Sequence, residues 1–113
     1  MIYAFQPATE TVFPVTTPEL DTSTTPDGLT LLDECPSWSP DAASHQFAFL
    51  SMRRDGAYAG TYGELHARTA IYMAGVDGQS APVRLALAPD GTSFGCPLWT
   101  SLEGNTRIIV PVN

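Results

Sequence analysis

Glu34-Cys35-Pro36-Ser37-Trp38-Ser39-Pro40-Asp41 returns sixty-one residues later as Gly95-Cys96-Pro97-Leu98-Trp99-Thr100-Ser101, and each copy leads into an apolar run. After the first tryptophan the run is Phe47-Ala48-Phe49-Leu50-Ser51; after the second it is Ile108-Ile109-Val110-Pro111-Val112, at the same offset. Upstream, Ile2-Tyr3-Ala4-Phe5 matches Ile71-Tyr72-Met73-Ala74, and Val12-Phe13-Pro14-Val15 matches Pro82-Val83-Arg84-Leu85. The chain is therefore a repeat protein. A unit that cannot bury its apolar face alone stacks on copies of itself, so the repeat constrains the architecture more than any single motif.

The repeated pieces read as β-strands. Their apolar runs are short and rich in Val, Ile, Phe and Tyr, and they are separated by Asp27-Gly28, Asp55-Gly56, Asp77-Gly78 and Asp90-Gly91 turns. Ten prolines are scattered along the chain and would break helices nearly everywhere, whereas proline is tolerated in turns and at strand starts. The expectation is an all-β protein.

The phrases resemble the TolB-like β-propeller repeat, in which a Pro-x-Trp-Ser-Pro-Asp-Gly turn is followed by an apolar strand, an Ile-Tyr strand with an Asp-Gly turn, and an Arg-Leu strand. The best match is Pro36 to Asp41, Phe47 to Ser51, Ile71-Tyr72-Met73, Asp77-Gly78 and Arg84-Leu85. Ala42 stands where the family has glycine, and Thr100-Ser101-Leu102-Glu103-Gly104 replaces the second Ser-Pro-Asp-Gly turn. The resemblance implies antiparallel four-stranded propeller blades, about two blades' worth, in the order CD-ABCD-AB. Residues 1–15 would be strands C and D of a first blade and 16–34 a long connection. Residues 35–87 would be a complete blade with an inserted loop at 52–70, and 96–113 strands A and B of the next.

Half blades at both ends leave open sheet edges, which invite pairing with another chain. The expected partner is a protein, or copies of this chain completing the half blades. A piece of a longer propeller is the other explanation.

Composition excludes several classes of partner. A net charge of −7 with no lysine argues against nucleic acid and anionic membrane surfaces, both of which need clustered cations. No run approaches the roughly 18 apolar residues of a membrane-spanning helix.

Cys35 and Cys96 are repeat-equivalent. They are either small buried residues copied by duplication or a disulfide pair. Without a neighbouring histidine they do not suggest a zinc site. Trp38 and Trp99, and likewise Tyr3 and Tyr72, recur in register and are expected to fill the space between blades rather than to stack on a ligand.

Residues that do not repeat are the better functional candidates, because packing within the repeat does not call for them. Arg53, Arg54, Tyr58, Tyr62, Glu64, His66 and Arg68 fall in the inserted loop, and Glu19, Asp21, Asp27, Asp33 and Glu34 make the 16–34 connection acidic. Up-and-down strand order puts both connections on one rim, and Arg and Tyr are enriched at the centres of interfaces. Arg53 and Arg54 either meet a partner there or pair internally with the acidic connection.

No Gly-x-Ser-x-Gly elbow, phosphate-binding glycine loop, His-Glu-x-x-His helix or EF-hand loop occurs. Glu64 and His66 could act as an acid/base pair, but a Glu-x-His in a surface loop is ordinarily solvated, and an isolated Asp-Gly is a turn before it is a calcium ligand. No catalytic residue, metal or cofactor is therefore assigned. The expected role is a non-catalytic protein-binding or scaffolding propeller element, docking its partner through the rim of loops 16–34 and 52–70. The alternatives are a fragment of the propeller domain of a larger enzyme, such as a prolyl oligopeptidase-type serine peptidase, or a structural subunit of a large assembly. The family resemblance and the two cysteines place it in the periplasm or outside the cell.

Overall fold

The computed structural model describes residues 2–16, 33–51, 69–77, 81–89 and 91–113. They are all-β: eight strands and one short 3-10 turn, Ala42–Ser44. Strands β1 (Tyr3–Gln6) and β2 (Thr11–Pro14) form one antiparallel hairpin. Strands β3 (Asp33–Trp38), β4 (Gln46–Ser51), β5 (Ala70–Gly75) and β6 (Val83–Leu87) form a four-stranded antiparallel sheet in sequence order. Strands β7 (Leu98–Leu102) and β8 (Asn105–Ile109) form a second hairpin.

The side-chain alternation of β4 explains how these sheets stack. A strand sends successive side chains to opposite faces, yet Phe47 through Ser51 are all buried, so both faces of the central sheet are covered. On one face Phe47 and Phe49 pack with Ala70, Tyr72 and Ala74 beneath Ile2 and Val15, with Ala4 and Phe13 of the first hairpin against them. On the other, Ala48, Leu50 and Ile71 meet Phe94, Trp99, Ile108 and Val110 from the second hairpin and its flanks. The first face carries an aromatic ladder: Trp38 meets Phe47 edge-on at 6.1 Å, Phe47 meets Phe49 at 5.5 Å, and Phe49 stacks on its strand partner Tyr72 at 6.0 Å.

The sequence repeat is also a repeat in register. Trp38 lies opposite Phe47 and Ser37 opposite Ala48; Trp99 lies opposite Ile108 and Leu98 opposite Ile109, the same pairs displaced by sixty-one residues. The turns between these pairs differ. In the first copy Pro40 stops the strand, the Asp41 carboxylate caps the 3-10 turn by accepting from the Ala43 N–H at 3.1 Å, and His45 takes a left-handed conformation. The second copy lacks that proline, so β7 runs on to Leu102 and the loop shortens to Glu103-Gly104, both at positive φ. Thr100, Ser101 and Leu102, expected in the turn, are strand residues.

Two strand boundaries also move. Asp33 and Glu34, assigned by sequence to the acidic connection, are the first residues of β3, and Ala70 opens β5 rather than closing the inserted loop.

The bulge in β3 sits at Cys35-Pro36, between the paired residues Glu34 and Ser37. Proline has no N–H for a ladder, and Cys35 adopts φ 57°, which takes both residues out of regular pairing. Cys35 is joined by a disulfide to Cys96, with a Cα–Cα separation of 5.3 Å. The pair is thus not two buried thiols: Cys35 is half-buried, Cys96 exposed, and the bond ties the central sheet to the second hairpin. The Trp99 N–H donates to Ser37 Oγ at 2.9 Å across the same junction.

The repeat-equivalent aromatics do not share one environment. Tyr72 is buried and Trp99 half-buried, whereas Trp38 and Tyr3 are 62% and 58% exposed. Within a single chain, the expected burial between blades is met by Tyr72, in part by Trp99, and not by Trp38 or Tyr3. Tyr3 lies on the first hairpin's outer face with Phe5 and Val12, and Trp38 lines a groove shared with Tyr3 and Ala4 of that hairpin.

Candidate binding rim

The register of the central sheet defines one end of the molecule. Asp33 pairs with Ser51, Ser51 with Ala70, and Ala70 with Leu87, so the start of β3, the end of β4, the start of β5 and the end of β6 are level. Both the connection leading into β3 and the segment between β4 and β5 leave from this end. Antiparallel order imposes this juxtaposition, because a strand's exit and its neighbour's entrance share an end.

Polar side chains hold that end together although they are buried. The Ser51 hydroxyl donates to Asp33 Oδ1 at 2.5 Å, and the two residues are 1% and 4% exposed. Thr69 Oγ1 accepts the Phe94 N–H at 2.6 Å and donates to the Phe94 carbonyl at 3.2 Å. At the first hairpin, Thr16 Oγ1 accepts the Ile2 N–H at 3.0 Å. Buried polar atoms are costly unless paired, so these bonds fix the strand ends from which the connections spring. This polar belt was not singled out in the sequence. Its signal was there in Ser51, a hydroxyl ending an otherwise apolar run, and in Thr69, immediately before one.

Arg53, Arg54, Tyr58, Tyr62, Glu64, His66 and Arg68 lie outside the described residues, as do Glu19, Asp21 and Asp27. The structure brings together the anchor points of their segments: Ser51 and Ala70 are neighbours across adjacent strands, and Asp33 is Ser51's neighbour on the other side. Of the acidic group only Asp33 and Glu34 are described. Asp33 is turned inward to Ser51, whereas Glu34 is exposed. His45 stands at the opposite end of β4 from Ser51, next to Gln46.

Among the described residues no group of three His, Cys, Asp or Glu side chains is gathered as a metal site would require, and no helix is long and apolar enough to cross a membrane. A groove of about 110 Å³ lies at the opposite flank, where Trp38, Phe47 and Val76 face Ile2, Tyr3 and Ala4 of the first hairpin.

No protein-family model, no curated protein and no solved structure matches this chain.

Proposed function

We propose that this chain is a non-catalytic, protein-binding β-propeller element of TolB-like type, and that it docks its partner through the rim carrying segments 16–34 and 52–70. The observation that carries the reading is the shared sheet end: two long non-repeating segments, one rich in arginine and tyrosine and the other acidic, spring from adjacent strand ends of one buried sheet. A rigid scaffold presenting variable loops is the usual arrangement for a binding surface. The propeller part is supported by the repeated Trp-to-apolar pairs and by the packing of a four-stranded sheet against hairpins on both faces. The disulfide supports an oxidising compartment, the periplasm or the cell exterior.

A photo-crosslinking side chain in place of Tyr58, introduced in the source cell, tests the reading. The expected result is a covalent adduct with a second protein that is lost when Arg53 and Arg54 are both changed to Ala, with an unchanged melting temperature. No adduct, or a large stability loss from the double substitution, would overturn rim docking; the latter outcome would favour internal pairing of the arginines.

A further inference from the structure

We infer that the chain binds a second copy of itself head to tail, β8 of one copy adding to the free edge of β1 of the next, so that two hairpins from different copies complete a four-stranded sheet. The inference rests on the repeat-blade reading above. It needs neither of the loop segments.

Among the described residues both edges are open: β1 pairs only with β2 and β8 only with β7, and past the end of β8 Val112 bridges Phe94. An open edge offers unpaired N–H and C=O groups to any strand of matching register. The chain contains the template for that match. In the central sheet β4 pairs with β5, Phe47 opposite Ala74, Ala48 opposite Met73 and Phe49 opposite Tyr72. The repeat equates Phe47 with Ile108 and Ile71-Tyr72 with Ile2-Tyr3. Carried over, the pairing sets Ile108 opposite Phe5, Ile109 opposite Ala4, Val110 opposite Tyr3 and Arg107 opposite Gln6 of the second copy.

The faces agree with the edges. Ile108 and Val110 already pack inward against the central sheet of their own chain, while Ile109 and Leu98, a cross-strand pair, are more than half exposed on the outer face. In the new sheet Leu98 and Ile109 would lie over the exposed Trp38 of the second copy. In return the second copy's exposed Tyr3, Phe5 and Val12 would lie over Met73 and its strand partner Val83, which is 55% exposed. Leu98 and Ile109 of one copy thus face Trp38 of the other, and Met73 and Val83 face its Tyr3, Phe5 and Val12. An occupant with both a β1-type and a β8-type edge fills the two places at once, and this chain is such an occupant. The contact is heterologous, so repeated addition closes a ring or continues as a filament.

The test mixes two variants of the whole chain, Arg107→Cys and Gln6→Cys, both at exposed positions, with a short bifunctional thiol reagent. Cys35 and Cys96 are consumed in the native disulfide and do not compete. The expected result is a species of twice the chain mass from the mixture and none from either variant alone. Sedimentation of the unsubstituted chain should show association, and Phe5→Lys, which places a charge on an already exposed face, should return it to a single-chain mass with an unchanged circular dichroism spectrum. A single-chain mass for the unsubstituted protein, no crosslink in the mixture, or an equal crosslink from one variant alone overturns the proposal. A monomer that still gives the Tyr58 adduct rejects self-pairing and leaves rim docking standing.

Discussion

Thr69 holds Phe94 with a single hydroxyl, accepting its N–H at 2.6 Å and donating to its carbonyl at 3.2 Å, across twenty-five residues of chain. These bonds fasten the start of the second hairpin's approach to the entrance of β5. Thr69→Val keeps the shape and removes both, leaving two backbone groups unpaired in a partly buried place. The expected loss is about 1–3 kcal/mol, or several degrees of melting temperature. Thr69→Ser should recover most of it. Thermal unfolding followed by circular dichroism checks both variants, and equal melts for Val and wild type would refute the role.

The disulfide closes a loop of sixty-one residues between two sheets. By chain entropy, constraining a loop of that length is worth about 4 kcal/mol against the unfolded state. Replacing both Cys35 and Cys96 with Ser should therefore cost several kcal/mol and free the second hairpin from β3. Non-reducing peptide mapping should recover Cys35 and Cys96 in one linked fragment. Two free thiols in the unfolded, unreduced protein would reject the bridge.

The fold was legible where the repeat spoke and illegible where the repeat could not apply. Phe47 to Ser51 and Ile71 to Met73 announce strands because β-branched and aromatic residues run between turn residues, and these are β4 and β5. Burial was harder to read from the same pattern. Trp38 and Trp99 are one sequence position used twice, but Trp99 packs into the cluster under the second hairpin, whereas Trp38 lines an open groove beside the first hairpin and stays 62% exposed. A periodic sequence gives both copies the same residue, not the neighbours that each copy meets. The polar anchors were missed for a related reason. Asp33 was read with the acidic residues before it, whereas its burial comes from Ser51, eighteen residues away and adjacent only once β3 and β4 pair.

The two tryptophans should respond differently to substitution. Trp99 packs against the Ala48, Leu50 and Ile71 cluster, so Trp99→Ala should destabilise by roughly 2–4 kcal/mol, somewhat below the usual range for a fully buried aromatic. Trp38 touches the core mainly through its edge-on contact with Phe47, and Trp38→Ala should cost the dissociated chain only about 0.5–1.5 kcal/mol. Single-tryptophan variants give an independent check. In the dissociated chain, iodide should quench Trp38 in Trp99→Phe more strongly than Trp99 in Trp38→Phe, and self-association should lower the accessibility of Trp38 alone.

The turn at Glu103-Gly104 makes the last prediction, because its sequence is not the best one for its shape. Glu103 at φ 52° and Gly104 at φ 77° join Leu102 directly to its strand partner Asn105, which is the two-residue hairpin loop with both central residues left-handed. Asparagine tolerates that conformation at the first position far better than glutamate, and glycine is the residue of choice at the second. Glu103→Asn should therefore stabilise the chain by a few tenths to about 1 kcal/mol. Nothing lies within 4 Å of a side-chain atom added at Gly104. Gly104→Ala thus meets no clash, and its expected cost of about 1 kcal/mol comes from the backbone alone. Denaturant unfolding of the two variants should shift the midpoint in opposite directions with an unchanged slope. A destabilised Glu103→Asn would mean that the glutamate side chain makes a contact worth more than the relief of its backbone strain.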